Sequence, residues 1–530
     1  MTVRDAVLQV LRRRGLTTIF ANPGSTEIPF LTDLPDDLRF VLALHEGSVV
    51  GMATGWALGR REPAFVLLHT TAGLGNAVSA LATARVNKAP LVVLVGQQDR
   101  RHLAFEPFLT GRLEGLAGDY PVSVELPVLP EEVPGAVDRA WHRAALCRGP
   151  AIVIVPMDDW ARPVHDREDA SAERILRPDA ASDDVLAQLV ALVDGARSPA
   201  LVVGAGADDS DTWAALVRLA ERLACPVWQE AYGARAGFPQ DHPLFAGHLP
   251  GDRPSVRRAL AAHDLVLVVG AAEFRQYGPY PGGLLVEETT RVVLVTDDPD
   301  EAVRSPAELV LLAAPAAVCA ALSERVAARP PYAGKPLLTR PPAPSAPAEG
   351  ERMRAAHVLT ALAERLSPEA VVVEEAPSDR PALHEHIAAR APLGFVSAAM
   401  GGLGFGLPAA IGLRMALPER PVVAVLGDGS SMYAIQGLWS AAHYRVGALF
   451  VVLNNGGYAV MDHLAGRFGG RGPWPGFEVD VAAIAQALGC PARRIARWPE
   501  LKEALDEVVP ALAERTEPLV LEVLVEPDPH

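Results

Sequence analysis

Residues 422–458 read VVAVLGDGSSMYAIQGLWSAAHYRVGALFVVLNNGGY. The stretch holds two apolar runs, 422–426 and 449–453, separated by a helical pattern over 435–444. Short unbroken apolar runs bounded by Gly and polar residues suit strands buried on both faces of a parallel sheet, with helices as the cover. In open parallel sheets ligands bind beyond the carboxyl ends of the strands. The first run ends in Gly427-Asp428-Gly429-Ser430-Ser431, the second in Asn454-Asn455-Gly456-Gly457. Alone, Gly-Asp-Gly is a turn signal. Between a buried strand and a helix, its backbone N–H groups can bind phosphate. The side-chain oxygens of Asp428 and Asn455, 27 positions apart, would project from neighbouring strand ends. Such hard donors suit Mg²⁺, which keeps water and phosphate oxygens in its shell. The stretch therefore predicts a diphosphate on Mg²⁺. It is not a P-loop, because GxxxxGK[ST] does not occur.

The same alternation extends outward. Apolar runs stand at 370–373 and 395–397 in the same piece. The N-terminal piece repeats the plan at 18–21, 40–44, 64–68 and 91–95, with helical stretches at 47–58 and 76–85. A middle piece has runs at 200–203, 265–269 and 292–295. Two connectors separate the pieces: 162–184, rich in Asp, Arg, Pro and Ser, and 329–350, which carries seven prolines. That Pro density fits neither a helix nor a central strand. The chain is thus read as α/β, with three doubly wound parallel-sheet domains at 1–180, 181–340 and 341–530.

Composition narrows the function classes. A 530-residue chain, half of it apolar, supplies several large cores. Its net charge of −16 argues against nucleic-acid or anionic-membrane partners. Cys147, Cys225, Cys319 and Cys490 are far apart, which excludes a zinc ribbon and a dense disulfide framework and suits a reducing compartment. Arg4, Arg12, Arg13 and Arg14 break up the N-terminal apolar residues, so no signal peptide is read. No apolar run approaches the ~18 residues of a membrane span. A cytoplasmic protein is expected.

GDGS followed by NNGGY resembles the cofactor motif of thiamin-diphosphate-dependent enzymes. Four further stretches resemble benzoylformate decarboxylase: ANPGSTEIPF (21–30), LALHEGSVVGMATGWA (42–57), LHTTAGLGNA (68–77) and AAMGGLGFGLPAAIG (398–412). The resemblance covers essentially the whole chain and implies thiamin diphosphate and Mg²⁺ as cofactors. It implies that Asp428, Asn455 and the Gly457 carbonyl hold the metal. Ser378, Gly401, Gly429, Ser430, Tyr433 and Tyr458 would surround the cofactor. Glu46 would hydrogen-bond the aminopyrimidine, and Leu403 would support the cofactor's bent shape, a proximity device. Family members set Glu46 of one subunit against the Mg²⁺ site of another. A homodimer at least is therefore implied, and a homotetramer is usual.

The implied reaction is decarboxylation of a 2-oxo acid, benzoylformate-like and aromatic or branched, to an aldehyde and CO₂. Ser25 and His69 match the polar residues facing substrate. Ser25 would bind the carboxylate, and His69, an imidazole, would exchange a proton near neutral pH. Alternatively Ser25 caps the next helix and His69 is structural; His45 is read as structural. Phe108, Leu109, Val460, Met461 and Leu464 would line the pocket. The family's second active-site His falls in 273–280, where this chain reads EFRQYGPY and Tyr277 takes its place. A phenol is a poorer acid than imidazole at pH 7, which would favour carboligation or a different substrate. The alternatives are therefore a carboligase or lyase forming 2-hydroxy ketones, like acetolactate synthase, and a catalytically silent scaffold. The partial Gly204-Ala205-Gly206 motif only weakly suggests a nucleotide such as FAD.

Overall fold

The computed structural model describes residues 1–164, 171–176, 181–272, 274–277, 283 and 285–526. Parts of the 162–184 connector and of the 273–280 segment therefore lie outside the described residues. Three sheets are formed, and every strand pair within them is parallel. The first runs Arg39–Leu42, Thr18–Asn22, Ala64–Leu68, Leu91–Gln97, Pro150–Pro156, Ser123–Glu125. The third repeats that winding: Phe395–Ser397, Val371–Glu375, Val422–Gly427, Leu449–Asn454, Leu519–Glu526, Met353–Arg354, with Ala492–Ile495 also on Leu519–Glu526. The middle sheet has the 3-2-1-4-5-6 order of a dinucleotide-binding fold, from Phe245–His248 to Leu309–Leu312.

Several strands escaped the sequence reading for physical reasons. Leu519–Glu526 is buried, yet its apolar run is broken by Glu522, which is 0% exposed. That carboxylate accepts from Asn454 Nδ2 and, at 2.9 Å, from Ala482 N. Pro150–Pro156 is bounded by prolines, and Ser123–Glu125 is a three-residue edge. The helix read at 435–444 is Gly437–His443, and a separate helix, Asp428–Met432, precedes it.

The first and third domains are joined by two helices, Glu46–Arg60 and Gly406–Ala416, which cross in backbone contact. A Cβ at Gly412 would lie 1.8 Å from the Met52 carbonyl oxygen, and one at Gly55 2.1 Å from that of Ala409. Only glycine permits that approach. The glycines of the 42–57 and 398–412 stretches thus fit helices together, a role the resemblance did not reveal.

The middle domain docks on the first through charge. Lys88, 5% exposed, lies 3.3 Å from Asp298 and 2.9 Å from Glu301, and Arg85 pairs with Asp298 and Asp300. At its own switch point the strand-end turns close on each other: Gly206 N donates to Gly270 O at 2.6 Å. Glu230 packs on Gly204, and Arg235 donates to Ala205 O at 2.8 Å and Asp208 at 3.1 Å. The protein's own side chains fill the crevice where the partial motif suggested a nucleotide.

Candidate active site

The two motifs of residues 422–458 meet at adjacent strand ends, with Gly427 opposite Leu453 in the parallel register. Gly427 begins the Asp428–Met432 helix with extended backbone and turns Asp428 into the protein. Asp428, 3% exposed, accepts from Gly429 N at 2.8 Å and Gly456 N at 2.9 Å. The second bond ties GDGS to NNGG. Asn455 Oδ1 accepts from Gly457 N at 3.0 Å. Burial pushes the Asp428 carboxyl above its usual range, against those N–H bonds, and it has no ion pair among the described residues. A desolvated carboxylate without a cation and an amide oxygen on the neighbouring strand end are hard donors of the kind that fit Mg²⁺. No atom stands within 4 Å of a Cβ built at Gly429 or Gly457, so the cradle has room for a diphosphate. Ser430 is buried beside it, while Tyr433 and Tyr458 are exposed.

The first domain gathers a second cluster at its strand ends. Glu46 opens the helix Glu46–Arg60 and is 8% exposed. Its two oxygens accept from Asn22 Nδ2 at 3.1 Å and Asn76 Nδ2 at 3.0 Å. His45 caps that helix by accepting from Gly47 N, the structural role expected of it. His69 Nδ1 lies 2.9 Å from Glu27 Oε2. An ionised carboxylate only accepts, so Nδ1 carries the proton and Nε2 is left for a reacting group. The next residue, Thr70, has φ 38°, a left-handed conformation that is strained for a β-branched side chain. Ser25 is exposed, and the helix Ile28–Leu31 takes no side-chain cap, so Ser25 does not serve as one.

Glu27, the carboxylate beside His69, is a member of this cluster that sequence reasoning missed, as are Asn22 and Asn76. Glu27 is 1% exposed, accepts from Gly24 N at 2.8 Å and bonds Thr26 Oγ1. A Cβ at Gly96 would fall 1.7 Å from its Oε1. Its signal was present in the ANPGSTEIPF stretch, two residues after Ser25.

A cavity of about 1340 Å³ opens between the three domains. Ser378, Gly401, Leu403, Tyr277, Val460 and Leu464 line it. Ser378 Oγ accepts from Val460 N at 3.1 Å. Glu375 holds the turn that presents Leu403 by accepting from Gly404 N at 2.7 Å and Phe405 N at 2.8 Å. Ser25, Glu46, His69, Phe108, Leu109 and Met461 are not in this lining, and neither are Asp428, Asn455, Gly457, Gly429, Ser430, Tyr433 and Tyr458. Phe108 is 87% exposed, on a loop pinned by Gln98 Nε2 donating to its carbonyl at 2.7 Å. No hydrogen bond or ion pair among the described residues joins the Glu46 cluster to the Asp428 cluster. Glu46 and Asp428 thus belong to two separate hydrogen-bonded groups among the described residues.

This arrangement defines a class. Residues 1–116, 186–322 and 380–523 match the N-terminal TPP binding domain, the central domain and the C-terminal TPP binding domain of thiamine pyrophosphate enzymes. The chain belongs to the thiamine pyrophosphate enzyme family. It is 39% identical to benzoylformate decarboxylase of Pseudomonas aeruginosa over 98% of both chains. It superposes with a TM-score of 0.94 and 34% identity on the thiamine diphosphate-dependent 4-hydroxybenzoylformate decarboxylase of Rhodococcus jostii RHA1, over 100% of both. It is also similar, at 27% identity over 85% of this chain and 75% of the other, to the acetolactate synthase large subunit of Parasynechococcus marenigrum. Among the described residues no helix is long and apolar enough to cross a membrane.

Proposed function

We propose that the chain is a thiamin-diphosphate- and Mg²⁺-dependent carboxy-lyase that converts an aromatic or branched 2-oxo acid to an aldehyde and CO₂. The observation that carries this reading is the joint presence of the buried, unpaired Asp428 cradle and the Glu46–Asn22–Asn76 and His69–Glu27 groupings. Full-length likeness to two decarboxylases supports it. Asp428, Asn455 and the Gly457 carbonyl would hold Mg²⁺. Gly429, Ser430, Tyr433 and Tyr458 would meet the diphosphate, and Ser378, Gly401 and Leu403 the rest of the cofactor. When bound, thiamin diphosphate supplies an electron sink for the carbanion left by loss of CO₂. Glu46, fixed by two amides, would hydrogen-bond the aminopyrimidine and could hold or give a proton there. Ser25 orients the substrate carboxylate. His69 donates or accepts a proton at the substrate oxygen, held in one tautomer by Glu27.

We infer that the Glu46 and Asp428 groups meet in one site only across two copies of the chain. In our reading Glu46, Ser25 and His69 of one protomer complete the cavity of its partner, with Phe108 and Leu109 carried into the substrate space. The assembly is a homodimer at least, and the homotetramer usual in this family is the form we favour.

The test is CO₂ release from benzoylformate with thiamin diphosphate and Mg²⁺ added. Rapid release that is lost in Glu46→Gln supports the reading. Absent release with cofactor bound would overturn the substrate assignment, and absent cofactor binding would favour the silent scaffold.

Carboligation is the second reading, favoured by Tyr277. That side chain lines the cavity, 49% exposed, with its ring centroid 5.9 Å from that of Tyr232. A phenol in this cavity would be a poorer proton donor at neutral pH than an imidazolium, which would favour capture of a second aldehyde. Tyr277→His is expected to lower the ratio of 2-hydroxy ketone to aldehyde when aldehyde is added, and Tyr277→Phe to raise it. Unchanged ratios in both would remove this reading.

A further inference from the structure

Two phenols, Tyr232 and Tyr277, stand side by side on the cavity wall, on separate loops of the middle domain. Their ring centroids are 5.9 Å apart and their planes 51° apart. Tyr277, half exposed, has no other ring contact among the described residues. Tyr232 lies in the turn beyond the strand Val227–Gln229, with φ 52°. That left-handed conformation costs a bulky residue free energy and costs glycine none. The turn itself therefore does not call for an aromatic side chain. What the ring adds is contact. It packs against Gly251, where an added Cβ would lie 2.6 Å from Tyr232 Cε2. Gly251 O accepts in turn from Tyr277 N at 2.8 Å. The Tyr232 ring thus meets Tyr277 at its side chain and, through Gly251, at its main chain.

The turn that carries Tyr232 is fastened to the third domain. Ser397 N donates to Ala234 O at 2.8 Å, and Ser397 Oγ to Gly233 O at 3.2 Å. Arg235 forms an antiparallel bridge with Val396. From the first domain, Asn87 Nδ2 donates to Ser397 O at 3.1 Å. Ser397 and Asn87 are both 0% exposed, so all three domains meet at one dry junction. Ser397 ends the strand Phe395–Ser397, and the turn 398–403, which lines the cavity and carries Leu403, follows at once. We propose that Tyr232 is a positioning residue: it fixes the Tyr277 ring relative to the turn 398–403, because its own main chain is joined through Gly233 and Ala234 to Ser397. This role rests on the reading of Tyr277 as a proton donor in the reaction. A reacting group misplaced by about 1 Å can lose about 10²-fold in rate, so a half-exposed phenol gains by such a brace. Tyr232 acts through Tyr277 and not on the substrate itself.

Fluorotyrosine incorporated at position 277 alone reports on that ring by fluorine NMR in the full-length holoenzyme. With Tyr232 present, one signal displaced from that of the urea-unfolded chain is expected. Tyr232→Phe should keep the displacement, since a phenyl ring fills the same place. Tyr232→Asn removes the ring but tolerates the left-handed backbone. It should move the signal most of the way to the unfolded value while leaving the urea midpoint in place. Product analysis with added aldehyde separates positioning from folding. Tyr232→Asn should raise the ratio of 2-hydroxy ketone to aldehyde about as far as Tyr277→Phe does. Combining the two should change that ratio by less than about twofold further, the non-additivity of residues that act as a pair. An unmoved fluorine signal in Tyr232→Asn, with or without a lowered urea midpoint, overturns the proposal, and so does an additive change in the double variant. If the signal moves and neither variant alters the products, the brace stands and only the role of Tyr277 in the reaction fails.

Discussion

At the scale of single residues, the site is organised by carboxylates whose partners differ. Glu46 is held by two amides, Asp428 by two backbone N–H groups, and Glu27 by His69 and Gly24 N. Replacing Glu27 by Gln removes the anion that fixes the imidazole tautomer. The variant is expected to lose about 10²-fold in kcat with a smaller change in KM, with Glu27→Asp recovering part, as steady-state kinetics will show. A different carboxylate costs stability. Glu230 is 2% exposed, its Oε2 has no hydrogen-bond partner among the described residues, and burial pushes it from 4.5 to about 7. The native state thus binds this proton more tightly than the unfolded chain. Its contribution to stability falls as pH rises from about 4.5 to about 7, and the penalty is complete above that. Glu230→Gln should match the wild type near pH 4.5 and exceed it by about 2 kcal/mol at pH 8, measured by unfolding at both pH values.

At the scale of elements, the crossing of Glu46–Arg60 and Gly406–Ala416 ties Glu46 and the Leu403 turn to a single rigid contact. Gly412→Val would drive a side chain into the Met52 carbonyl. A loss of about 3 kcal/mol or more is expected, together with weaker cofactor binding. Gly75→Ala is the control: it is exposed in the helix Thr70–Val86 with nothing within 4 Å of an added Cβ. That change should be neutral or stabilise by about 0.5–1 kcal/mol. Urea unfolding midpoints of the two variants distinguish packing from propensity.

At the scale of the whole molecule, the separation of the Glu46 and Asp428 clusters leads to an assembly test. Glu46→Gln and Asp428→Asn are each expected to be inactive as homodimers. If each site joins Glu46 of one chain to Asp428 of another, random mixing gives one intact site in each heterodimer. Coexpression should then restore about a quarter of wild-type activity. No recovery, with mixed dimers demonstrated by mass spectrometry, would place both residues in a site within one chain.

Periodicity and strand-end chemistry in the sequence determined the α/β class, the parallel winding around 422–458 and the neighbouring strand ends that carry the GDGS and NNGG turns. Each comes from local rules: an apolar run buries both faces, and the residues just beyond parallel strands gather at one edge of the sheet. Resemblance added Glu46, Ser25 and His69 as a group, and the structure gathers them at the first sheet's edge. Glu27, Asn22 and Asn76 were not legible as partners, because their contacts span 24 to 42 positions and depend on which strands become neighbours. The glycines of 42–57 and 398–412 read as motif letters until two helices from different domains were seen to touch through them. The pairing of Lys88 with Asp298 and Glu301 across two domains was likewise invisible in a chain of net charge −16. Charge adds up along a sequence regardless of position, but it acts through distance and burial, which only the tertiary structure sets.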